Sequence, residues 1–275
     1  ADGGITVWPT TQSIHNTRIL LGEIFDIPLS KVNVKRVTIG GTFGSSIQTN
    51  SAIPICVALA LKARRPVRIV TTREEDMHDH ARYPTTITLK LGAGRDGTLR
   101  AGHMKVMTDI GAHNIQAFPF VSAMAGWWVS LYRLPALRYE GTAVYTNKVP
   151  ACAMQGFANP QANFATESLM DMLAEALEMD PVELKRKNYV GLGDTFWGQG
   201  PTVRSIIRSC GVEETFDRGV ELIGWGGRPT PAAPDQTGPW RRGIGMARGF
   251  HTSSAGAPRA GEVIDFSGAM VKLNE

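Results

Sequence analysis

The chain has 275 residues, 43% of them hydrophobic and 20% charged, and 29 basic against 25 acidic side chains leave a net charge of +4. That balance excludes disordered, collagenous and coiled-coil classes, and the length asks for one large or two closely packed units. The longest apolar run, around Ile53–Leu61, falls short of the ~18 residues a spanning helix needs, so no membrane role is expected, and the scattered basic residues suggest no nucleic-acid face.

Cys56, Cys152 and Cys210 are too few and too far apart for a disulfide framework or a zinc cluster. No basic stretch followed by an apolar core opens the chain, so a cytoplasmic protein is expected. The first strand begins almost at once, at Ile5, and Met270–Glu275 reads as a strand entering a turn; both ends are read as cut through a fold.

In chain order, Ile5–Trp8 reads as a strand, and Thr10–Ser13 offers caps to a helix carrying Ile14, Ile19, Leu20, Ile24 and Phe25. Val32–Ile39 alternates and is β-branched, predicting a strand that runs into Gly40-Gly41-Thr42-Phe43-Gly44. A long apolar helix over Thr49–Lys62 and a buried strand at Val67–Val70 follow, and Thr72-Arg73-Glu74-Glu75 has capping-box form. Thr85–Leu91 and Leu99–Ile110 flank Asp96-Gly97, a hairpin signal. Tyr139–Tyr145 reads as a strand. Gln161–Met179 reads as a helix burying Phe164, Leu169, Met172, Leu173, Ala176 and Leu177, and Asp180-Pro181 starts another. Helices at Val203–Ser209 and Val212–Leu222 and strands at Gly243–Phe250 and Val263–Leu273 complete the reading. Strands in runs, without a regular βαβ rhythm, predict an α+β class with mixed or antiparallel sheets. The Gly and Pro density divides the chain into a first unit over 1–228, a linker over 229–240 and a second unit over 241–275.

Two segments are candidates for chemistry. Glycines at 40, 41 and 44 let backbone N–H groups approach a polar ligand, and equally permit tight packing. The loop matches neither the phosphate-binding P-loop nor the dinucleotide fingerprint. Ala153–Gln161 mixes small, aromatic and amide residues before a long helix. Phe157 offers a flat face and Gln155 an amide, while Asn159-Pro160 is also an ordinary helix start. His78 and His80 flank Asp79, but no third ligand stands at a zinc-motif distance.

In this order the motifs resemble those of the molybdenum-binding subunit of the xanthine oxidase family, which includes aldehyde oxidoreductases and nicotinate dehydrogenase. The resemblance rests on five ordered segments covering nearly the whole chain: Val7–Gln12, Gly40–Gly44, Pro66–Arg68 with Arg73–Met77 and Arg82-Tyr83-Pro84, Gln155–Gln161, and Pro181–Asn188. It implies binding of a molybdopterin-type molybdenum cofactor, the cytosine dinucleotide form included, with iron–sulfur clusters and FAD on partner subunits or domains. It implies hydroxylation of a carbon next to nitrogen or oxygen with water-derived oxygen. By resemblance, the Gln12 amide meets a ligand of the metal, Gly41, Phe43, Gly44 and Gln155 belong to the backbone cradle, and no side chain ligates the metal directly. Phe157 and Ile47 would line the substrate pocket.

Several departures narrow these expectations. Gln155 and Ala158 replace the family's usual Arg and Gly. Ile47 and Ala123 stand where purine-hydroxylating members carry Glu and Arg, which favours an aromatic heterocycle or an aldehyde over a purine. The Gly-Glu-Pro-like motif that carries the general-base Glu does not occur in this chain, Gly261-Glu262-Val263 being nearest. The chain alone is therefore expected to be inert, needing the remaining molybdenum-binding region and iron–sulfur and flavin subunits. The alternative is a non-catalytic assembly subunit or fragment of the same architecture.

Overall fold

Pro9 sets the length of the first strand pair. In the computed structural model, which describes residues 3–196, 205–227, 239 and 243–251, Ile5–Val7 (β1) pairs in parallel with Val32–Val34 (β2). Lys35 N–H still donates to the Val7 carbonyl at 2.8 Å, but Pro9 has no N–H to return. The strand expected over 32–39 therefore stops at Val34. Ile14–Phe25 (α1) joins the two strands and ends at Asp26 in the left-handed conformation.

Ala52–Ala63 (α2) is the expected apolar helix. Arg73–Met77 (α3) carries its capping box in full, Glu75 N–H donating to the Thr72 hydroxyl and Thr72 N–H to the Glu75 carboxylate. Between them Val67–Val70, expected as a strand, finds no ladder partner among the described residues and stays irregular. Ala81–Arg82 (β3), Thr85–Ala93 (β4) and Leu99–Asp109 (β5) follow, then Ala117–Val129 (α4), Ala136–Val144 (β6) and Ala151–Cys152 (β7). β4, β5 and β6 are hydrogen-bonded in that order, and β3 pairs in parallel with β7. Asn159–Ala176 (α5) and Pro181–Asn188 (α6) come next, α6 capped by the Asp180 carboxylate. Thr195–Phe196 (β8) pairs antiparallel with Ser205–Ile206 (β9), and Val212–Leu222 (α7) follows.

Three expectations need correction in this stretch. β9 replaces the helix read over Val203–Ser209: Ile207 exchanges backbone bonds with Gly193 and Asp194, so the β-branched pair Ile206-Ile207 closes a hairpin. On α5 the buried side is Ala162, Thr166, Glu167, Met170 and Ala174, while Phe164 and Met172 are 78% and 63% exposed; the stripe is rotated because it selects small residues and one carboxylate. Gly243–Phe250 forms no strand. It is held instead by side chains, Lys185 donating to the Met246 carbonyl and Arg248 to the carbonyls of Leu131 and Val190. The linker read over 229–240, Pro239 excepted, and the strand read over Val263–Leu273 lie outside the described residues.

The described fold is α+β and divides into two compact units, each made of three stretches of chain. Unit 1 comprises 1–88, 104–123 and 139–160; unit 2 comprises 89–103, 124–138 and 161–275. In unit 1, Leu21, Val32, Ile53 and Val57 form a core with Ile5, Val7, Phe25, Ile27 and Val34 packed on it. α1 approaches closely at Gly22, where a Cβ would stand 2.9 Å from the Leu29 side chain. In unit 2 the core is Leu99, Leu131, Tyr132, Met170, Ala174, Leu184 and Tyr189. Asn188 knits it together, accepting from Leu99 N–H and donating to the carbonyls of Gly97 and Leu184.

Candidate functional site

The residues singled out from sequence all belong to unit 1, and hydrogen bonds bring two loops and one amide side chain together. The first tie runs from the β1–α1 connection. Thr11, buried, donates to the Ser46 carbonyl at 3.3 Å, and Gln12 N–H donates to the same oxygen at 3.2 Å. The Gln12 side-chain oxygen accepts a short bond from the Thr42 hydroxyl. Gln12 is thereby fixed against the glycine loop at both backbone and side chain.

The loop itself turns on left-handed residues: Gly41 at φ 113°, Phe43 at 55° and Gly44 at 102°. Gly44 is required twice over, by its φ and because a Cβ there would lie 3.4 Å from the Ala153 backbone. Ser45 N–H closes the turn on the Thr42 carbonyl and Ile47 N–H on that of Gly44. Among the described residues, no acceptor receives the N–H of Phe43 or Gly44. Adjacent donors on a left-handed turn form a concavity suited to a polar or anionic ligand.

The second loop follows β7. Gln155, Gly156, Phe157 and Ala158 have φ of 38°, 98°, 36° and 71°, four successive left-handed residues, three of them not glycine. Such backbone persists only where its surroundings hold it. Gln155 N–H, expected to face a ligand, donates instead to the Phe43 carbonyl at 2.7 Å. Arg82, on β3, donates to the carbonyls of Met154 and Gln155 at 2.9 and 3.1 Å. Asn159 N–H closes on the Gly156 carbonyl at 3.0 Å. Residues 12, 43 and 155 are thus joined in one hydrogen-bonded set.

Phe157 has an aromatic backing. Its ring meets Phe120 edge-on, centroids 5.5 Å apart, and Phe120 stacks on Tyr83 at 4.0 Å. Burial pushes the Tyr83 hydroxyl up to about 12, so it stays neutral across the physiological range. Phe120 lies on α4, which the sequence reading passes over; Ala123 lies on the same helix. Ile47 is half-buried at the end of the glycine loop, held by its N–H. A cavity of about 710 Å³ in unit 1 is lined instead by Ser45, Gln48, Asn50, Asp79, His80 and Cys152 among others, and none of Gln12, Phe43, Ile47, Gln155 and Phe157 faces it. In it Asp79 pairs with His80 at 2.6 Å and accepts from Ser51 at 3.0 Å. Among the described residues, no group of three or more His, Cys, Asp or Glu is arranged to hold a metal.

Sequence reasoning places Arg82 within a motif but gives it no role, and it misses Thr42, Ser46 and Phe120. Only the apolar spacing of Phe120 with Ala117 and Met124 signals its burial.

Residues 1–189 match the family described as the molybdopterin cofactor-binding domain. The chain belongs to that family. Relatives with this domain include a probable xanthine dehydrogenase subunit of Bacillus subtilis, 38% identical over 68% of this chain and 25% of that protein. The putative xanthine dehydrogenase molybdenum-binding subunit of Escherichia coli is 32% identical over 100% of this chain and 35% of its own length. The nicotinate dehydrogenase large molybdopterin subunit of Eubacterium barkeri is 30% identical over 82% and 53%. This molybdopterin-binding chain thus spans about a quarter to a half of the length of these relatives. Among solved structures, the aldehyde oxidoreductase of Desulfovibrio gigas superposes with a TM-score of 0.74 at 28% identity, covering 82% of this chain and 24% of that one.

Proposed function

We propose that the two loops of unit 1 cradle a molybdopterin-type molybdenum cofactor in an enzyme that hydroxylates an aromatic heterocycle or an aldehyde. The observation that carries this is the hydrogen-bonded convergence of Gln12, Phe43 and Gln155 in a chain of the cofactor-binding family. The donor set fits the group. Phe43 and Gly44 offer amides that no protein acceptor takes among the described residues, and preorganised donors of this kind stabilise negative charge at low reorganisation cost. Gln12 presents an amide held in place by Thr42, and Gly41 lets the turn form at φ 113°. Gln155 buttresses the Phe43 carbonyl. Phe157, backed by Phe120 and Tyr83, offers an aromatic wall to a ring substrate, with the apolar Ile47 assigned to the same pocket.

When bound, the cofactor supplies a two-electron redox centre for inserting water-derived oxygen beside a heteroatom. A general-base Glu is assigned to sequence outside this chain, together with the remaining molybdenum-binding region and subunits carrying iron–sulfur clusters and FAD. The relatives' names, which include "molybdenum-binding subunit" and "large molybdopterin subunit", support such an assembly. The cytosine dinucleotide form of the cofactor and a cytoplasmic location complete the proposal.

The test is elemental analysis and turnover of the chain in its native assembly, produced in a host that makes the cofactor. Bound molybdenum is expected, and Gln12→Ala should lower turnover roughly ten- to a hundredfold, the usual result of removing a group that orients a metal's ligands. Folded assembly without molybdenum would reject the proposal. A second reading, a non-catalytic assembly role, draws on Gln155 N–H and the Gln12 side-chain oxygen being already bonded within the chain. It predicts turnover indifferent to Gln12→Ala.

A further inference from the structure

We infer that Arg82 is a positioning residue that aims the backbone donors of the second loop. One terminal nitrogen of its guanidinium donates to two successive carbonyls, Met154 at 2.9 Å and Gln155 at 3.1 Å. In a trans peptide the carbonyl and the following N–H point in opposite directions. A cation that draws both carbonyls toward itself therefore turns both following amides away from itself. The first, Gln155 N–H, lands on the Phe43 carbonyl at 2.7 Å. The second, Gly156 N–H, has no acceptor among the described residues and points away from the same guanidinium, so it is the second loop's ligand-facing donor.

The placement of Arg82 makes this a specific clamp and not a chance surface contact. Arg82 sits on β3, in register with Cys152 on β7, so its side chain extends along the neighbouring strand to the two peptides that immediately follow it. Those peptides open the run of four left-handed residues, where alternative peptide orientations are otherwise accessible. The guanidinium also restores a positive charge beside position 155, where the family's usual Arg is replaced by Gln155. Bonds from a charged donor are roughly twice as strong as neutral ones, which suits a group that must hold strained backbone.

This inference rests on the cofactor reading for its ligand, and the experiment separates the two. The native assembly is purified with wild-type chain, Arg82→Met, Arg82→Lys and, as a control, Arg18→Met. Arg18 likewise donates to two carbonyls in unit 1, those of Leu29 and Val32, but away from the loops. Amide hydrogen exchange over 154–158 in cofactor-free protein and molybdenum retained after dialysis are measured for each. Arg82→Met should speed exchange in 154–158 and lower retained molybdenum roughly tenfold or more. Arg82→Lys, which keeps a cation with several donors, should recover most of both, and Arg18→Met should change neither. Unchanged exchange in Arg82→Met, or molybdenum retention equal to wild type, overturns the assignment. A wild-type assembly that holds no molybdenum overturns the cofactor reading beneath it.

Discussion

Left-handed backbone at a non-glycine residue costs on the order of 1–2 kcal/mol, and Phe43, Gln155, Phe157 and Ala158 all adopt it within two loops that touch. The bonds from Arg82, Gln155 N–H and Asn159 N–H are what offset that cost. A similar economy operates at Asp109, the last residue of β5. One oxygen of its carboxylate accepts from Gly111 N–H and the Thr146 hydroxyl, and the other faces Lys148 at 2.9 Å. The Thr146 hydroxyl first, then Gly111 and Lys148, hold the Asp109 carboxyl down at about 2, against an ordinary 3.8. A depressed carboxyl contributes stability above its unfolded value, and that contribution disappears as pH falls from near 4 toward 2. Removing the leading cause with Thr146→Val should raise the Asp109 midpoint toward the ordinary carboxylate value and so shrink the acid-sensitive window. An NMR titration of the Asp109 carboxyl reads this directly; an unmoved midpoint would show that Gly111 and Lys148 suffice.

Among elements, those announced by local chemistry are legible in the sequence. Asp96-Gly97 makes its hairpin with Gly97 at φ 81° and Thr98 N–H on the Asp96 carboxylate; Thr72 makes its capping box and Asp180 its cap. Elements decided by distant partners are not. β2 stops because Pro9, over twenty residues earlier, lacks an N–H. α4 escapes notice because Ala117–Val129 is apolar almost throughout, so the buried set Ala117, Phe120, Met124, Trp127 and Trp128 does not stand out from its background. The site divides the same way. The two loops and Gln12 are legible from their motifs, whereas the reach of Arg82 across β7 is a tertiary fact that no spacing encodes. α6 corrects the weight given to its motif: Lys185, 1% exposed, pairs with Glu167 at 3.1 Å and Asp171 at 2.6 Å, and Asn188 binds three backbone groups. These residues hold unit 2 together. Lys185→Met should strand the buried Glu167 carboxylate, which also accepts from Tyr132 at 2.6 Å, and cost about 3–5 kcal/mol. Adding Glu167→Gln should recover part of the loss in denaturant titrations; equal losses in single and double variants would show that the charge is not what matters.

At the scale of the whole chain, each unit is assembled from three separate stretches, and β4, β5, α4 and β6 each begin in one unit and end in the other. Neither unit can complete its own core until the chain has passed through the other. Covalent interleaving of this kind should make unfolding one cooperative event, because a strand or helix that melts at one end loses its ladder or its turn at the other. Leu21, fully buried in the unit 1 core, and the buried indoles of Trp127 and Trp128 in unit 2 allow a direct test. Leu21→Ala removes side-chain volume from a packed core and should cost about 2–5 kcal/mol. If the chain unfolds as one body, the denaturant midpoint followed by tryptophan fluorescence should fall by as much as the midpoint followed by far-ultraviolet circular dichroism. A fluorescence midpoint that stays in place while the dichroism midpoint drops would mean that unit 2 holds without unit 1, and that the four shared elements transmit no cooperativity.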